Sequence, residues 1–188
     1  MRRPGRTTMN IPKYAKLEHE RRFLALEPPD LADVRPRLIE DSYLEGGRLR
    51  LRRVTHADGT PTEFKLCKKY GALDAVSEPI VNIYLSEAEY ARLAALPGRP
   101  VRKRRYTVAW RRRGFGVNVF EGELAGLVLI EAEAESADAA RATEFPPWAG
   151  LEVTGDLFFT GGSLAGLTRQ DLAARLALHR AEAGSTPT

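Results

Sequence analysis

The chain has 188 residues and a mass of 20.9 kDa with 43% hydrophobic residues, enough for one domain with a sizeable core and too little for a second full one. Its 29 basic and 25 acidic residues leave a net charge of +4 and a pI near 9.4, a mixed surface that suits an anionic small molecule and disfavours nucleic acid as the partner. Cys67 is the single cysteine, which excludes an intramolecular disulfide and a cysteine-based metal site; with no secretory h-region and no membrane-length apolar run, a cytoplasmic location is predicted.

Residues 1–10 read as a disordered tail, 11–183 as one domain and 184–188 as a disordered terminus. Strand-like runs are predicted at 17–26, 41–54, 62–69, 78–85, 101–110, 116–121, 127–135 and 151–160. Ser86-Glu87-Ala88-Glu89 has the order of a capping box, and Gly98 and Pro100 close the segment, predicting a helix over 86–96. Arg111-Arg112-Arg113-Gly114 reads as a hairpin turn with solvated arginines. A short alanine-rich helix is predicted over 136–142, stopped by Pro146-Pro147. Thr168 with Asp171 opens a terminal helix whose Leu172, Leu176 and His179 share a stripe, which makes His179 a packing residue.

The charge pattern of the strands carries the chemistry. In Glu18-His19-Glu20-Arg21-Arg22 a period of two puts Glu18, Glu20 and Arg22 on one face and His19 on the other. Paired carboxylates can share a hard divalent metal, and the neighbouring cation can hold an anion that the metal also touches. On this pattern alone a solvated sheet face is the favoured reading. Other strands bring matching charge: Arg48, Arg50 and Arg52 alternate with Leu49 and Leu51, Lys65 lies in the next run, Lys103 and Arg105 share a face, and so do Glu131, Glu133 and Glu135. Acids on some strands and bases on others suit a site for a polyanion with cations. Three scattered histidines give no Ser/His/Asp set, and no glycine-rich phosphate loop occurs, so an anion would be gripped by side chains on strands.

The ordered series resembles the CYTH family, also called triphosphate tunnel metalloenzymes. Its Glu-x-Glu-x-Lys hallmark stands here as Glu18-His-Glu20-Arg-Arg22. There follow Tyr43-Leu44, Arg50-x-Arg52, Lys65, Lys103-Arg-Arg105-Tyr106, Val119-Phe120-Glu121-Gly122, Gly126-Leu127, Glu131-x-Glu133 and Glu152-Val153-Thr154-Gly155-Asp156. The resemblance covers about 14–170. It implies an α+β fold: a closed, eight-stranded antiparallel β-barrel, or tunnel, with the charged side chains in its lumen and helices packed outside.

It further implies a metal-dependent hydrolase of inorganic tripolyphosphate or a related triphosphate. Glu18, Glu20, Glu131 and Glu133 would hold Mg2+ or Mn2+; Arg22, Arg50, Arg52, Lys65, Lys103 and Arg105 would bind phosphate oxygens; Glu18, Glu20 and Arg22 would be the catalytic set. Two other readings stay open: a class IV-type adenylate cyclase, and a catalytically weak polyphosphate- or nucleotide-binding module. Arg22 stands where the family has lysine, and Asn118 where an aspartate is common. Read as a lost acid, Asn118 implies a lumen that holds a polyanion well and turns it over slowly. Thr160-Gly161-Gly162 replaces the family's Tyr-Ser-Asn-like end, and Glu78 is a further acid without an assigned place.

Overall fold

In a computed structural model that describes residues 11–25 and 27–184, eight antiparallel strands close on themselves. They are β1 (Lys16–Leu24), β2 (Arg37–Leu44), β3 (Leu49–Thr55), β4 (Pro61–Lys69), β5 (Ser77–Leu85), β6 (Gly98–Trp110), β7 (Arg113–Phe120) and β8 (Val128–Ala134). Their order around the barrel is β5-β4-β3-β2-β6-β7-β8-β1, and β1 completes it by pairing with β5. The expected tail up to residue 10 and residues 185–188 lie outside the described residues.

The closing seam is short. β1 pairs with β8 from His19 to Leu24, but with β5 only from Lys16 to His19. The rest of that edge of β1 is occupied by β9 (Leu151–Glu152), which pairs with Phe23 and Leu24. Between them Glu20 N donates to Val76 O at 2.9 Å, Arg22 N to Thr154 Oγ1 at 2.9 Å and Val153 N to Arg22 O at 2.9 Å. The barrel therefore splits open beside Glu20 and Arg22 without leaving these strand amides unpaired.

The predicted run at 41–54 is two strands, β2 beginning at Arg37, with a turn at 45–48 in which Gly46 takes φ 74°. The predicted strand at 151–160 is a correction in the other direction. Only Leu151–Glu152 pairs as a strand; Gly155 turns the chain at φ 80°, and Leu157–Phe159 forms a 3-10 turn capped by the Asp156 carboxylate, which accepts from Phe158 N at 2.9 Å. Apolar side chains draw this segment inward, and an apolar run too short to show its period reads equally as a strand.

Four helices pack outside: α1 (Glu87–Ala94), α2 (Ala137–Arg141), α3 (Gly161–Leu164) and α4 (Arg169–Gly184). The first has the expected capping box at Ser86 and Glu89, and Ser136 caps α2 through Ala139 N. The terminal helix runs through Gly184, beyond the expected boundary at 183. Leu172 and Leu176 pack with Leu24, Phe120, Leu129 and Phe159 at one end of the barrel, and His179 lies buried over the Phe159 ring at 5.6 Å. A second apolar cluster, Phe115, Val117, Ile130 and Ala132, covers the outer face of β7 and β8 beneath Phe145 and Trp148. Arg111 and Arg112 form the β6–β7 turn, both at positive φ. Among the described residues no helix is long and apolar enough to cross a membrane.

A charged tunnel through the barrel

With both barrel cores outside or at one end, the lumen is left to charged side chains. Two cavities of about 600 Å³ and 470 Å³ share Glu18, Arg50, Arg52, Arg105, Glu131 and Glu133 in their walls, so they are two parts of one tunnel. Alternation on each strand delivers these groups: Glu18, Glu20 and Arg22 from β1, Arg50 and Arg52 from β3, Lys103 and Arg105 from β6, and Glu131 and Glu133 from β8. The opposite face of β1 leaves the tunnel, as expected. His19 Nδ1 meets Ser77 Oγ at 2.9 Å, and Arg21 grips Glu152 with two bonds at 2.8 and 2.7 Å.

At the centre stands Glu131, which is buried. Arg22 Nε donates to its Oε1 at 3.2 Å, Asn118 Nδ2 donates to its Oε2 at 3.0 Å, and Arg105 Nη1 lies 3.6 Å from Oε2. Burial alone would raise its pKa; Lys103, Arg22, Arg105 and the Asn118 amide outweigh that and hold it well below the ordinary carboxylate range. Arg22 also donates to Glu20 Oε1 at 2.5 Å and to Phe159 O at 3.0 Å. Arg105 reaches Glu131 across Gly116, where a Cβ would lie 2.7 Å from the guanidinium, so glycine makes room for the crossing.

Glu20 behaves differently. Burial first, then the charge of Glu131, push its pKa up to about 6, and Glu18 adds to the repulsion. Glu18 is disfavoured by burial too, but Lys69 outweighs this and lowers its pKa: Lys69 Nζ donates to Glu18 Oε2 at 2.6 Å and lies 3.2 Å from Glu78 Oε2. Among the described residues no three carboxylate, histidine or cysteine side chains form a metal-holding group as they stand, because Glu18 and Glu20 are turned to Lys69 and Arg22. Glu133 is the outlying member of the expected quartet, with Arg105 Nη2 at 4.0 Å.

The bases divide by whether an acid already holds them. Arg52 makes a double hydrogen bond to the buried Asp41, at 2.6 and 2.8 Å, with Arg50 Nε 3.8 Å from the same carboxylate. Lys103 is 7% exposed and has no ion pair among the described residues; burial foremost, with Arg52 and Arg105 adding to it, lowers its pKa to about 8. Lys65 lines the smaller part of the tunnel only, where it is bound to Glu63 and lies over the Tyr84 ring at 4.9 Å.

A protein of Nitrosomonas europaea named inorganic triphosphatase is 34% identical over 154 residues, covering 79% of this chain and 96% of the relative. The chain belongs to the CYTH family. The crystal structure of the inorganic triphosphatase NE1496 matches this CYTH chain with a TM-score of 0.52 and 29% identity, covering 79% of this chain and 93% of that one. The PH1819 protein from Pyrococcus horikoshii, at 17% identity and a TM-score of 0.50 over 66% of this chain and 82% of that one, shares the fold. No protein-family model matches the chain.

Two tunnel residues of this CYTH domain escape a reading of the sequence. Asp41 is a lone acid with no acidic neighbour two residues away, and its pairing with Arg52 appears only once β2 and β3 form a hairpin in which the two are direct partners. Lys69 ends the β4 run, and its alternation with Lys65 and Cys67 was the signal that could have found it.

Proposed function

We propose that this chain is a cytoplasmic, divalent-metal-dependent phosphoanhydride hydrolase that cleaves inorganic tripolyphosphate, with Mg2+ or Mn2+ as the metal. The observation that carries this reading is the crowding of Glu18, Glu20 and Glu131, three carboxylates that repel one another in a buried lumen, beside Lys103, which lies over the Phe120 ring and has no ion pair among the described residues. Hard oxygen donors in mutual repulsion fit a divalent cation, and an unpaired buried base fits a polyanion. The Nitrosomonas europaea relative, named inorganic triphosphatase, supports the same substrate class.

In this reading Glu18, Glu20, Glu131 and Glu133 would hold the metal. When bound, the metal neutralises phosphate oxygens and makes water more acidic. Binding of cation and substrate would take Glu18 from Lys69 and Glu20 from Arg22, freeing two bases for phosphate. Arg50, Arg52, Lys103 and Arg105 line the remaining wall, and Lys65 guards the smaller part of the tunnel. Arg22 stays charged at any physiological pH, so its contribution is electrostatic and not proton transfer. That is sufficient for phosphoryl transfer, which relies on positioning and charge neutralisation and needs no covalent nucleophile. Turnover of tripolyphosphate, ATP and thiamine triphosphate with Mg2+ and with Mn2+, following phosphate, pyrophosphate and cyclic AMP, tests the proposal. Tripolyphosphate is expected to be the best substrate and ATP, if cleaved, to give ADP and phosphate; cyclic AMP as the main product would replace hydrolysis by cyclisation.

Lys103 gives a pH signature. Its pKa of about 8 lies below the ordinary lysine value because its charge is buried, and a bound polyanion raises it again. Above about pH 8 tripolyphosphate binding is therefore expected to take up a proton, and near pH 6.5, where Lys103 is already charged, this uptake vanishes. Calorimetry at pH 8.5 in buffers of different ionisation enthalpy measures it. Uptake that persists unchanged in Lys103→Met would assign the proton elsewhere.

A further inference from the structure

Asn118 is fully buried on β7, facing the tunnel wall. Its Nδ2 donates to Glu131 Oε2 at 3.0 Å, to Leu129 O at 3.2 Å and to Gly116 O at 3.3 Å, while its Oδ1 is buried with no hydrogen-bond partner among the described residues. The orientation of this amide is fixed by its surroundings: turning it over would set Oδ1 against three acceptor oxygens. A buried carbonyl without a partner is a standing cost to the fold, which an apolar side chain would not carry. The residue thus gives up stability to aim its N–H groups at these three acceptors, of which Glu131 is the one side chain among the described residues.

We propose that Asn118 is a positioning residue: its amide holds Glu131 Oε2 in place, completing with Arg22 on Oε1 a clamp that fixes this carboxylate for cation binding. This rests on the metal-dependent reading given above. Without the amide, Oε2 has Arg105 Nη1 at 3.6 Å as its competing partner, with the Lys103 charge acting on the same carboxylate. The carboxylate then turns towards those bases and away from Glu20. Asn118 is on this view a donor with a task and not an acid that the chain has lost, and the arginine at position 22 is its counterpart, since the guanidinium reaches Glu131, Glu20 and Phe159 O together.

The test is Mn2+ titration of the substrate-free protein by calorimetry, with thermal melting and steady-state kinetics, for wild type, Asn118→Leu, Asn118→Ala and Asn118→Asp. Asn118→Leu is expected to stay folded with a lower melting temperature, because the buried Glu131 loses a donor, to bind Mn2+ at least about tenfold more weakly, and to lose kcat at least about tenfold with little change in KM for tripolyphosphate, within the range found when partners of a metal ligand are removed. If the leucine variant does not fold, Asn118→Ala, which removes the same donors, carries the same expectation for Mn2+. Wild-type Mn2+ affinity in the folded variants overturns the proposal. So does an Asn118→Asp protein that binds Mn2+ and turns over faster than wild type, because that result makes position 118 a ligand site. The Mn2+ comparison needs no turnover, so an inactive wild type counts against the hydrolase reading and leaves this comparison readable.

Discussion

Glu18→Gln and Glu20→Gln are each expected to lower metal-dependent tripolyphosphate turnover by at least about 100-fold in a protein that remains folded. The figure is the upper end of the roughly 10–100-fold loss seen when a mere partner of a metal ligand is removed, since losing a ligand itself does more damage than losing its partner. Folding should survive because each base affected keeps another acid: Lys69 retains Glu78 at 3.2 Å, and Arg22 retains Glu131 at 3.2 Å. The Glu20 change also removes a carboxylate that burial and Glu131 already disfavour in its charged form. Phosphate release and thermal melting check both variants. Wild-type rates in the two folded proteins would remove Glu18 and Glu20 from the metal site.

Arg52→Ala and Lys103→Met should separate two kinds of base that look alike in sequence. Asp41 is buried, and Arg52 is its double-bonded partner, so deleting Arg52 strands a buried carboxylate with Arg50 no nearer than 3.8 Å. Breaking a buried pair in this way costs about 3–5 kcal/mol, and denaturant unfolding is expected to show it. Lys103 makes no ion pair among the described residues, and Glu131, which its charge helps to hold ionised, keeps Arg22, Asn118 and Arg105 as partners. Its removal takes a desolvated charge out of the lumen, so stability is expected to hold or rise, while tripolyphosphate affinity falls about tenfold or more with the loss of one charge-assisted contact of roughly 1.5–3 kcal/mol. Equal stability losses in the two variants would contradict the division between paired and unpaired bases.

The sequence discloses the inward charge of β1 because alternation is a local property: Glu18, Glu20 and Arg22 are two residues apart, and a strand needs nothing else to put them on one side. The same holds for Arg50 with Arg52, Lys103 with Arg105 and Glu131 with Glu133. What alternation leaves out is which acid meets which base. Asp41 with Arg52 is a cross-strand partnership, Lys69 with Glu18 bridges residues 51 apart, and Arg22 on Phe159 O depends on a segment that reads as a strand and folds as a turn. Asn118 is opaque for a related reason. Against an expected aspartate it reads as a missing charge, and its hydrogen bond to Glu131 becomes visible only when β7 and β8 pair and bring the two together. Closure of the barrel is likewise a long-range fact, resting on four residue pairs between β1 and β5.

Phosphorus NMR of tripolyphosphate incubated with the wild-type protein, once with Mg2+ and once with a chelator, tests most directly whether this tunnel is a metal-dependent triphosphatase. One phosphate and one pyrophosphate for each tripolyphosphate consumed are expected with Mg2+, and intact tripolyphosphate with the chelator. Tripolyphosphate that stays intact in both samples, with Mn2+ in place of Mg2+ giving no product either, would contradict hydrolysis and leave the tunnel as a binding site.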